Sequence, residues 1–218
     1  MHNQSLTIAI LGFCLSSELA RQAIAADAIA VPVVAKYSSP EEVFKAHRDA
    51  CAKRDWRTVF ECNTVKSQKL LIFEVCYHCM AAPEMSFLLK KFDADEERVT
   101  AEYSRRYEKK YGAAPPAGSP RLDVGLYAEV LWSQVKDPAA LYVEWSKHIE
   151  AHDRYRPTSR LEDLKVKGDS ATATAKVTVY VTREDELGNT TREEESVDEL
   201  IPFRRTTTGG WLIDAVYE

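Results

Sequence analysis

The residues best equipped for chemistry in this sequence are two thiols flanking a histidine, Cys76-Tyr77-His78-Cys79. Two cysteines at this spacing support thiol–disulfide exchange when they open a helix, because the helix N-terminus lowers the first thiol's pKa and makes it an attacking thiolate. That chemistry requires the preceding run KLLIFEV (69–75) to be a buried strand. Read at helical spacing, the same residues form one helix over about 65–82. Leu71, Ile72, Phe73, Val75, Cys76, Cys79 and Met80 then share one broad face, with Glu74, Tyr77 and His78 on the other. Both thiols would lie mid-helix, either buried as free cysteines or held in a structural disulfide. A short continuous apolar run does not decide between strand and helix.

Four further positions could carry acid–base or binding chemistry: His47, Asp214, Tyr180 and Tyr217. His47 falls on the apolar stripe of an amphipathic segment, where a core histidine satisfied by a neighbour is the plainer reading. Asp214 alternates with Trp211 and Ile213, so it faces either an interior pocket or solvent. The two tyrosines carry hydroxyls on strand-like segments and are similarly open. Glu144, His148 and His152 fall at i, i+4 and i+8 of one helical segment. Two histidines at i, i+4 can share a zinc ion, but no third or fourth ligand is recognisable. An amphipathic helix with histidines at its polar margin explains the spacing as well. No G-x-S-x-G, P-loop, dinucleotide-binding or EF-hand motif is present, so no cofactor is implied.

The elements that must position these residues change character along the chain. Ser39-Pro40-Glu41-Glu42 combines an N-cap, a proline at the first helical position and a glutamate at the third, the pattern of a capping box. Val43, Phe44, His47, Ala50 and Cys51 follow on one stripe. Asp55-Trp56 begins a short helix ending near Cys62, and Thr64 caps a third. Residues 84–155 stay helical in pattern but are more charged, with a loop at AAPPAGSP (113–120). After Arg160 the period switches from 3.6 to 2: Ala171, Ala173, Ala175, Val177, Val179 and Val181 alternate with polar residues or Tyr180. Gly188-Asn189 and Thr208-Gly209-Gly210 supply turns. With LEDLKVK before Gly168, the pattern predicts a four-strand antiparallel meander. Helices first and a meander last predict an α+β domain whose helices cover one face of a curved sheet.

The chain has 218 residues, a net charge of -5 and 45% hydrophobic residues, ordinary values for a soluble globular protein. No lysine/arginine block suggests a nucleic-acid partner. The first 30 residues differ in kind. Leu6–Leu15 is a ten-residue apolar run, too short to cross a bilayer, and small residues follow with A-x-A sites ending at Ala25, Ala28 or Ala30. This reads as a signal peptide of an exported, periplasmic or secreted protein, with no integral membrane segment in the mature chain. The alternative is an amphipathic N-terminal helix on a cytoplasmic protein.

Two resemblances follow from these residues. The C-x-H-C motif resembles the active site of thioredoxin-fold oxidoreductases, although that fold needs an alternating β/α order that the pattern here does not offer. SPEEVFKAHRDACAKRDWRTVFECNT, together with GDSATATAKVTVYV and the GGWLID ending, resembles small exported bacterial members of the nuclear-transport-factor-2-like (SnoaL/ketosteroid-isomerase-like) superfamily. That likeness covers roughly half the mature chain and treats 84–155 as a helical insertion in a single domain over 31–218. It implies a cone-shaped, cystatin-like α+β fold with a pocket between helices and sheet. Members include isomerases, dehydratases, cyclases and binding modules, and no catalytic position of theirs can be matched here. The expectation is a non-catalytic module that binds a small apolar ligand or self-associates as a homodimer through its sheet. The alternatives are a pocket-based isomerase or lyase using Asp214, His47 or a tyrosine, and a thiol–disulfide oxidoreductase using Cys76 and Cys79.

Overall fold

The computed structural model describes residues 36–115, 123–148, 156–157, 159–184 and 190–214. The leader expected over 1–30, most of the 113–120 loop, the Gly188-Asn189 turn, His152 and Tyr217 lie outside these residues.

Local side-chain caps set the helix boundaries. In α1 (Pro40–Lys53) the Ser39 hydroxyl accepts the Glu42 N–H at 3.3 Å, and Pro40 sits where a missing N–H costs nothing. The reciprocal half of the expected capping box lands one residue upstream. The Glu42 carboxylate accepts the N–H and the hydroxyl of Ser38, both at 2.8 Å, because Ser38 offers two donors at once. Arg54 closes α1 in the left-handed region (φ 57°), its N–H returning to the Ala50 and Cys51 carbonyls. Asp55 caps α2 (Trp56–Glu61) and Thr64 caps α3 (Val65–Ala81). A single 3-10 turn leads into α4 (Ser86–Lys91). Asp95 caps α5 (Glu96–Tyr111), which Gly112 ends at φ 73°, a conformation glycine adopts without penalty. Asp123 caps α6 (Val124–Gln134), and α7 is Pro138–His148. Residues 65–81 are therefore continuous helix, and the strand that a thiol–disulfide motif would need at 69–75 does not form.

The sheet follows the helices, as α+β order predicts. β2 (Glu162–Lys167), β3 (Ser170–Glu184), β4 (Thr190–Arg205) and β5 (Trp211–Ile213) form the antiparallel meander. A two-residue strand, β1 (Arg156–Pro157), was not legible in the pattern; it pairs with Thr178 and Val177 of β3, above the end of β2. β3 and β4 pair without a break from Ser170↔Arg204 to Glu184↔Thr190. Period-two alternation turns Ala171, Ala173, Ala175 and Val177 to the covered face, while Thr172, Thr174, Lys176 and Thr178 stay more exposed.

Two apolar cores result. In one, α1 supplies Val43 and Phe44 against Ala171, Ala173, Ala175, Ile201, Phe203, Trp211, Leu212 and Ile213. The other is built from helices alone and includes Phe60, Ile72, Val75, Leu88, Val99, Leu131, Leu141 and Trp145. Helices α4–α7, which lie in the stretch read as an insertion, share this second core with α2 and α3 and are not a separate appendage.

Candidate functional site

The cores meet where the α2–α3 junction passes the end of β5. Ile213 N–H donates to the Cys62 carbonyl (2.9 Å), Thr64 N–H donates to the Ile213 carbonyl (2.8 Å), and Asn63 bridges Ile213 in parallel. Asp214 completes this seam. It is 7% exposed, and its Oδ1 accepts the Thr64 hydroxyl at 2.8 Å. The same Thr64 oxygen accepts the Ser67 N–H and so caps α3. Arg204 Nε lies 3.5 Å from Oδ2 on the more exposed side. Asp214 thus ties the last strand to the first turn of α3. Thr64 was legible as a cap but not as a partner for Asp214, because the two are 150 residues apart.

His47 lies on the covered face of α1, 8% exposed, with Nδ1 3.8 Å from the Cys51 sulfur one turn on. Burial pulls its pKa down to about 4, so the ring is neutral at physiological pH. Near this corner Tyr142 of α7 is also buried. Burial first, then the proximity of Cys51 and Glu74, pushes its phenol well above the ordinary range. No spacing rule signals that α1, α3 and α7 bring Cys51, Glu74 and Tyr142 near one another.

Cys76 and Cys79 are both fully buried and free. They sit ten or more residues beyond the N-terminus of α3, away from the unsatisfied N–H groups that would stabilise a thiolate. Burial pushes the Cys76 thiol far up, helped by Cys79, and pushes Cys79 up to about 11. Tyr77 points the other way and is 59% exposed. His78 packs its ring on Trp145 (centroids 5.8 Å, 30° between planes), and its Nδ1 is buried with no hydrogen-bond partner among the described residues.

The remaining nominated positions are scattered. Tyr180 is on β3 opposite Glu194, its side chain outside the described residues, as is all of Tyr217. Glu144 is held by Lys147 (2.8 Å) and Lys91 (3.1 Å), and His148 meets the edge of Phe87 (5.6 Å). Among the described residues no three His, Cys, Asp or Glu side chains gather closely enough to hold a metal ion, and no helix is long and apolar enough to cross a membrane. His47, Asp214 and the Cys76/Cys79 pair each meet different neighbours, at the α1 face, the seam and the helical core.

No family model, curated protein or solved structure matches the chain.

Proposed function

We propose that this chain is a non-catalytic binding module, exported from its cell, with a nuclear-transport-factor-2-like arrangement of helices against a curved, cone-shaped sheet. One observation carries the non-catalytic reading: the side chains best suited to chemistry are engaged in holding the fold. Asp214 accepts the hydroxyl that caps α3, His47 is a neutral core residue, and both thiols of the C-x-H-C motif are packed mid-helix. A nucleophile or general base needs reach to a substrate and a pKa near the working pH. Burial moves His47 and both thiols away from that condition. The fold part of the reading is supported by the capped first helix, the meander after the helices, and the ending on Trp211–Asp214. The binding partner is either a small apolar ligand held between helices and sheet or a second copy of the chain.

Thiol chemistry tests the reading. Under native conditions near neutral pH, iodoacetamide should label Cys76 and Cys79 at less than about a hundredth of the rate of a free thiol, measured by peptide mass spectrometry. Rapid, selective labelling of Cys76 would overturn the reading and restore the oxidoreductase alternative.

A further inference from the structure

We draw no further inference here: the strongest candidate, the side-chain cluster at Cys51 and His47 on α1, where the sulfur and Nδ1 lie 3.8 Å apart, rests on a single partly buried thiol beside a histidine that burial keeps from acting as a base, and no second observation among the described residues points to a ligand there.

Discussion

The two cores of this molecule are built on different principles. The helical core is lined with large side chains from α2–α7, and rings from five of those helices pack on one another: Tyr103 meets Tyr127 at 5.1 Å, Phe60 meets Tyr142 at 5.2 Å, and Trp145 lies between Tyr142 and His78. The sheet core sets the small alanines of β3 against large side chains from other elements: Tyr37 and Phe44 on the helix side, and Ile201, Phe203, Trp211, Leu212 and Ile213 from the later strands. A crowded core spreads the cost of losing one side chain over many neighbours. A core faced by alanines concentrates it, because the alanines cannot move in to fill a gap.

The largest expected effect follows from that contrast. Phe203, 1% exposed, faces Ala171 across the β3–β4 pair, and Phe203→Ala should cost about 3–5 kcal/mol in denaturant unfolding. Phe60→Ala on the helical side removes the same ring where Trp132 and Tyr142 pack on it and can close in, so a loss at the low end of that range is expected. Comparable losses from the two would erase the contrast between the cores.

A pH effect comes next in size. His47 is held neutral by burial, its folded pKa about 4 against an ordinary value of 6.5. The unfolded chain therefore takes up the proton first as pH falls. The contribution of His47 is intact above about pH 6.5 and is lost as pH drops toward 4, about 3 kcal/mol at most across that window. His47→Gln should flatten this part of the stability–pH profile. An unchanged slope would mean that the ring is solvated.

Much of this architecture was legible because it is written locally. Ser39, Asp55, Thr64 and Asp123 announce helix starts with their own side chains, and the β3 alternation from Ala171 to Val177 displays its buried face directly. What escaped depends on distance in sequence. β1 is two residues long and pairs only because β3 runs past the end of β2. Glu42 chose Ser38 over Ser39 because of where two donors point, which no spacing rule encodes. The site residues were legible as residue types but not as duties. Asp214 could face a pocket or solvent by alternation alone, and the third possibility, the hydroxyl of Thr64, exists only once β5 lies beside the α2–α3 junction.

The seam therefore offers the sharpest test. If Asp214 clamps the two cores and is not a reactive group, its energy must be shared with Thr64. A double-mutant cycle of Asp214→Asn and Thr64→Val, followed by denaturant unfolding, should return a coupling energy of about 1–2 kcal/mol. In both single variants, amide exchange in the first turn of α3 and in β5 should quicken together. Additive losses, with α3 and β5 exchanging independently, would contradict the account and return Asp214 to the list of groups free to do chemistry.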